Sequence, residues 1–252
     1  MNLRTVTILW PTIFLLITST AEAALSVERS RIIFNEGDKA VSLGVTNNNT
    51  QDPYLAQAWM ENEKEEKISG PFMILPPVQR VEAGSKTRVR IQAATGIATL
   101  PGDRESVFWL NLREIPPKSD KPNVLMLAMQ TRMKVFWRPK SIKVDPSADT
   151  VPGTSTLTLA LHGGRYEIHN PTPYHFSFVE VRNGLHGKGL ANFEPVMVEP
   201  KGKATLPVSA AQAGNTPVLM FINDYGSARL LPFRCSGTTC TAGKVEMPGE
   251  KN

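Results

Sequence analysis

The chain has 252 residues, 41% of them hydrophobic and 20% charged, with 28 Lys and Arg against 23 Asp and Glu for a net charge of +5. This is an ordinary globular composition, which excludes a disordered or low-complexity chain; the modest basic excess by itself leaves nucleic acid open as a partner.

Residues 1–23 read as an export signal. Arg4 supplies the positive start, Thr7 to Ile17 is mostly apolar, and Ala21-Glu22-Ala23 has the small-x-small form of a cleavage site, so the mature chain is expected to begin at Ala24. Pro11, Thr12 and Thr18 interrupt the apolar run, and no later segment approaches the roughly 20 apolar residues of a spanning helix. Export argues against nucleic acid and directs the cations towards carboxylates or an anionic surface. The roughly 229 residues that remain suit one large domain or two of about 110.

From Leu25 the apolar residues alternate with period two. Strands are predicted at Leu25 to Phe34, Ala40 to Thr46, Tyr54 to Glu61, Lys86 to Ala93, Ser106 to Glu114 and Asn123 to Trp137, punctuated by turn clusters such as Asn47 to Pro53 and Ser69-Gly70-Pro71. No long amphipathic helix interrupts them, and the pattern is that of an immunoglobulin-like sandwich. The proline-bearing stretch Asp145 to Gly153 marks a boundary. A second series follows at Thr156 to Leu161, Arg165 to His169, Tyr174 to Val181, Phe193 to Val198, Ala204 to Pro207, Val218 to Asn223 and Arg229 to Phe233. The expectation is an all-β protein of two tandem sandwich domains, residues 24–143 and 144–252.

Cys235 and Cys240, the only cysteines, stand in C-S-G-T-T-C. In an oxidising compartment this spacing suits a disulfide across a tight turn, and a zinc site would lack ligands. Catalytic signals are missing from the sequence: it has no G-x-S-x-G, H-E-x-x-H or phosphate loop. His162, His169, His175 and His186 show no ligand or base spacing and read as surface or turn residues. A sandwich-built hydrolase would need a clustered constellation that the sequence does not display.

The most informative stretch is N-V-L-M-L-A-M-Q-T-R-M-K, Asn123 to Lys134. Leu125, Leu127 and Met129 share one face of a strand while Val124, Met126 and Ala128 share the other, so both faces are apolar. A fully buried core strand explains this, and so does a strand covered by a partner; alternation alone does not separate the two.

The motif L-P-G-D-R-E-S-V-F-W-L-N-L-R-E-I-P-P, Leu100 to Pro117, resembles the signature of the periplasmic chaperones of the chaperone-usher pathway, which assemble adhesive pili. The resemblance extends through Asp52 to Trp59, Gly70 to Arg80, N-P-T-P-Y at Asn170 to Tyr174, I-N-D-Y-G at Ile222 to Gly226 and the cysteine pair, over essentially the whole mature chain. It implies two immunoglobulin-like domains around a cleft. It also implies a strand, Asn123 to Met129, lent to a pilus subunit or adhesin that lacks its own last strand, with Leu125, Leu127 and Met129 filling the subunit's groove. Arg31 and Lys134 match the family's two cations for the subunit's C-terminal carboxylate, and Glu105, Arg138 and Asp224 match its charged trio between domains. Because Lys134 falls on the opposite face from the lent side chains, a bulge or twist is expected before it. The short connection Pro116 to Pro122 resembles the subgroup serving thick, rigid pili. The implied mechanism uses no cofactor, metal or ATP and delivers the subunit to an outer-membrane usher. Separately, an apolar strand exposed alone is an aggregation hazard, which makes a self-capping dimer of the free chain one hypothesis for how it is covered. A pilus subunit itself would lack a strand, whereas this chain holds enough for two closed domains.

Overall fold

The computed structural model describes residues 23–119 and 125–249. The export signal apart from Ala23, part of the Pro116 to Pro122 connection, and Asn123 at the head of the lent segment lie outside the described residues.

The first half contains β1 (Leu25–Val27), β2 (Arg31–Asn35), β3 (Ala40–Asn47), β4 (Tyr54–Glu61), β5 (Lys67–Ile68), β6 (Phe72–Leu75), β7 (Val78–Val81), β8 (Lys86–Ala93), β9 (Ser106–Ile115) and β10 (Gln130–Arg138). They form a four-stranded sheet, β1-β3-β8-β6, and a six-stranded sheet, β2-β10-β9-β4-β5 with β7 beside β4. Alternate residues of both sheets, including Phe34, Leu43, Val45, Ile91, Leu110 and Val135, close one core between them. The single strand expected over Leu25 to Phe34 is two. β1 pairs antiparallel with β3 in one sheet and β2 pairs parallel with β10 in the other, so the chain changes sheet at Glu28 to Ser30. Splitting an edge strand this way contributes apolar residues to the same core from both sides.

The second half contains β11 (Thr158–His162), β12 (Arg165–His169), β13 (Phe176–Asn183), β14 (Val196–Val198), β15 (Lys203–Ser209), the four-residue helix α1 (Ala210–Ala213), β16 (Pro217–Ile222), β17 (Ala228–Ser236) and β18 (Thr239–Ala242). Hydrogen bonding runs continuously through β14-β13-β16-β17-β18-β11-β12-β15. The path folds into two layers because β17 pairs through Ala228–Pro232 with β16 and through Phe233–Ser236 with β18. Phe178, Leu206, Leu219, Leu231 and Phe233 fill the second core. Cys235 and Cys240 face one another in the β17–β18 register and are disulfide-bonded.

Two expectations about the segment before Trp137 are corrected. Among the described residues the strand begins at Gln130: residues 125–129 have no ladder, and the Glu114 N–H donated to the Met129 carbonyl at 2.9 Å is the one backbone bond seen there to β9. The reason lies in the neighbour. β9 ends at Ile115 before Pro116 and Pro117, which have no N–H to donate. There is also no bulge ahead of Lys134, since β10 keeps an unbroken register with β9 from Gln130↔Arg113 to Trp137↔Ser106. Plain alternation turns Met133 and Val135 into the core and Lys134 to the other face.

Candidate functional site: the seam and the open edge of β10

The outward face of β10 builds the contact between the domains. Lys134, Phe136 and Arg138 follow one another on it, and each meets the second domain: Lys134 Nζ donates to Ser177 Oγ at 2.7 Å, the Phe136 ring lies 5.4 Å from that of His175, and Arg138 binds Asp224. One strand therefore follows directly on the exposed apolar segment and ends in the contact between the domains.

At this contact, Arg138 donates from Nε and Nη2 to Glu105 Oε1 at 2.9 and 2.6 Å, and from Nη1 and Nη2 to the two oxygens of Asp224 at 2.7 and 3.1 Å. Burial works against the Arg138 charge, but the bonds to Asp224 and the field of Glu105 outweigh it and raise the guanidinium above its ordinary pKa. The other Glu105 oxygen accepts the His175 backbone N–H at 2.8 Å and lies 3.2 Å from its Nδ1. His175 is thus a buried seam residue, correcting its reading as a surface or turn histidine. No spacing rule could have found it, because its partners come from residues 70 positions earlier. An outer ion pair, Lys201 Nζ to Asp103 Oδ2 at 2.6 Å, also joins the domains.

Arg31 and Lys134 are brought together as Cα partners in the parallel β2–β10 ladder. Arg31 Nη1 donates across the seam to the Ile222 carbonyl at 2.7 Å, while its buried Nε has no hydrogen-bond partner. Among the described residues neither cation has an acidic group within ion-pair distance. Burial, reinforced by the neighbouring charges of Arg31 and Arg132, lowers Lys134 to a pKa of about 8. Burial likewise lowers Arg31, opposed by the fields of Asp224 and Glu105. Two adjacent, partly desolvated cations without a counter-ion are suited to an incoming anion.

Beside them β10 has an open edge. β2 covers only Lys134 to Arg138, so the side of Gln130 to Met133 away from β9 pairs with no strand among the described residues. A cavity of about 550 Å³ runs along it, between Thr131 to Met133 and Glu28 to Ser30. A second, of about 450 Å³, reaches Arg31, Arg138, Asp224 and Tyr225. Ahead of the edge, Leu125, Leu127 and Met129 are 82%, 61% and 48% exposed. On the same outward face as Lys134, Arg132 stacks over Trp109 at 4.8 Å and pairs with Glu61 at 3.4 Å, which stiffens the strand next to its unpaired end. Among the described residues no group of three or more His, Cys, Asp or Glu is placed to hold a metal ion.

Comparison with known proteins agrees with this geometry. Residues 24–143 match the pili and flagellar-assembly chaperone PapD N-terminal domain, and residues 153–231 the pili assembly chaperone PapD C-terminal domain. The chain is 44% identical to the chaperone protein PapD of Escherichia coli over 94% of its own length and 97% of that protein's. It is 42% identical to the probable fimbrial chaperone YfcS of Escherichia coli, covering 91% of each. Among solved structures, the periplasmic chaperone SfaE is similar with a TM-score of 0.64 and 32% identity, over 81% of this chain and 95% of that one. The chain belongs to the PapD family of pilus-assembly chaperones.

Proposed function

We propose that the protein works in the periplasm, where it captures incomplete pilus subunits and adhesins by lending them the segment before β10. In this reading residues 1–23 are a cleaved export signal, and residues 24–143 and 144–252 are the working domains. The observation that carries it is the pairing of exposed Leu125 and Leu127 with an open strand edge that leads directly to Arg31 and Lys134.

The geometry supports a definite docking direction. A subunit strand lying along the Leu125 to Met133 edge and ending in a carboxylate at Arg31 runs parallel to β10, in line with β2. At about 3.3 Å per residue, the nine residue steps from Leu125 to Lys134 span about 30 Å, the upper end of strand lengths in globular domains. Leu125, Leu127 and Met129 share parity with core residues Met133 and Val135, so an extended segment presents them to one face, where they complete the subunit's core. Each fully buried side chain contributes about 1.5–3 kcal/mol. The carboxylate sets the register, because slipping by one residue would turn every lent side chain to the wrong face.

The chain acts without chemistry of its own: it is not an enzyme, needs no cofactor, and releases the subunit at the outer-membrane usher when the next subunit's N-terminal extension replaces the lent segment. While free, it shields that segment by pairing with a second copy, which light scattering across concentration tests: a monomer at every concentration rejects the dimer. The principal test is co-expression of the tagged chaperone with subunits encoded beside it, followed by pull-down from the periplasm. Wild type is expected to retain a subunit, and Arg31→Ala and Lys134→Ala to lose it while staying folded. Equal capture by all three would reject the anchor.

A further inference from the structure

We propose that Ser177, in the second domain, is a third member of the carboxylate anchor, so that both domains grip the subunit's C-terminus; the proposal rests on the anchoring function above. Four groups meet at the seam as two facing pairs. Arg31 and Lys134 are neighbours on β2 and β10, while Ser177 and Ile222 sit on adjacent strands β13 and β16, each one residue from the Phe178↔Phe221 pair. Arg31 reaches the Ile222 carbonyl and Lys134 the Ser177 hydroxyl, both at 2.7 Å.

Donors and acceptors at this point do not balance. An ammonium has three N–H donors and Lys134 uses one; Arg31 Nε is buried and unused. Ser177 is buried, and its oxygen accepts from Lys134 while its own proton has no acceptor among the described residues. The nearby carboxylates Glu105 and Asp224 are held by Arg138. What the seam lacks is a group with two negatively charged oxygens. A carboxylate offers about four lone-pair sites, enough to accept from Lys134, Arg31 and Ser177 together. A neutral amide would supply one acceptor oxygen, add donors of its own to a site already rich in them, and leave both cations uncompensated.

The test uses the full mature chain and a synthetic peptide of a subunit's C-terminal segment, either with its free α-carboxylate or as the C-terminal amide. Wild type is expected to prefer the carboxylate form. Ser177→Ala is expected to reduce that preference about tenfold, consistent with losing one hydrogen bond to a charged group, while a wild-type circular-dichroism spectrum and melting profile show that the variant is folded. Ser177→Thr, retaining the hydroxyl, is expected to restore most of the preference. In a Lys134→Met background, Ser177→Ala is expected still to weaken the carboxylate form several-fold. If its effect vanishes in that background, Ser177 only orients Lys134 and the proposal fails. Full preference retained in Ser177→Ala also overturns it while leaving the Arg31 and Lys134 anchor standing. A wild type indifferent to carboxylate and amide removes the anchoring function itself.

Discussion

Arg138 and Glu105 are joined across 33 residues of chain by two hydrogen bonds to a single carboxylate oxygen, with side chains only 3% and 2% exposed. Asp224 closes the other side of the guanidinium and is 26% exposed. Removing one partner of such a group leaves a buried charge without compensation. Arg138→Ala is therefore expected to destabilise the protein by about 3–5 kcal/mol. Asp224→Ala should cost clearly less, because water reaches that carboxylate. Urea titration followed by fluorescence measures both, and equal losses would contradict the asymmetry. Buried ion groups are often near neutral against apolar replacements, so the lasting contribution of this cluster is to fix how the domains meet.

Lys134 provides a test with two opposite signs. Its pKa near 8 lies below the ordinary lysine value because burial disfavours its charge. Below pH 8 both folded and unfolded chains carry the proton, so the full cost of the buried charge is present; between about 8 and 10.5 only the unfolded chain holds it, and this group's contribution to stability rises. Carboxylate capture needs the ammonium and is expected to weaken over the rise from pH 8. Stability and subunit affinity thus diverge in that window, and Lys134→Met should remove the divergence. Parallel denaturation and peptide titrations between pH 7 and 10 measure it; an affinity independent of pH would contradict a role for the charge.

Leu127 is 61% exposed and touches no core, so Leu127→Ala should leave folding stability within about 0.5 kcal/mol of wild type. Filling a subunit groove is worth about 1.5–3 kcal/mol for such a side chain, which corresponds to a loss of subunit affinity of roughly 10- to 100-fold. Thermal melting and pull-down on the same preparation separate these effects. A change in melting without a change in capture would make Leu127 a structural residue.

The disulfide closes a short turn between β17 and β18, with Cys240 fully buried. Replacing both cysteines by serine should cost about 2 kcal/mol through the loop entropy returned to the unfolded chain. Subunit capture at ambient temperature should persist, because the seam residues lie elsewhere on the domain. Loss of capture by a variant with a native circular-dichroism spectrum would tie the hairpin to function.

Much was legible in the sequence because it depends on local periodicity or adjacency. Period-two alternation marked out most of the strands and the all-β class, and the stretch from Asp145 to Gly153 suggested two domains. The cysteines need only a turn between them, and the Leu100 to Pro117 motif carried the family. Alternation tells which residues share a face; it says nothing about which strand lies alongside. The tertiary structure alone decided that Leu25 to Phe34 divides between two sheets, that pairing in β10 starts at Gln130 where β9 still has N–H groups to offer, and that Lys134 reaches the seam without a bulge. It also decided the partners of the seam. Arg31 meets the Ile222 carbonyl 191 residues away, Lys134 meets Ser177, and His175 is buried against Glu105. Contacts at such separations arise only when two closed cores are brought face to face, so no pattern within a few residues can encode them.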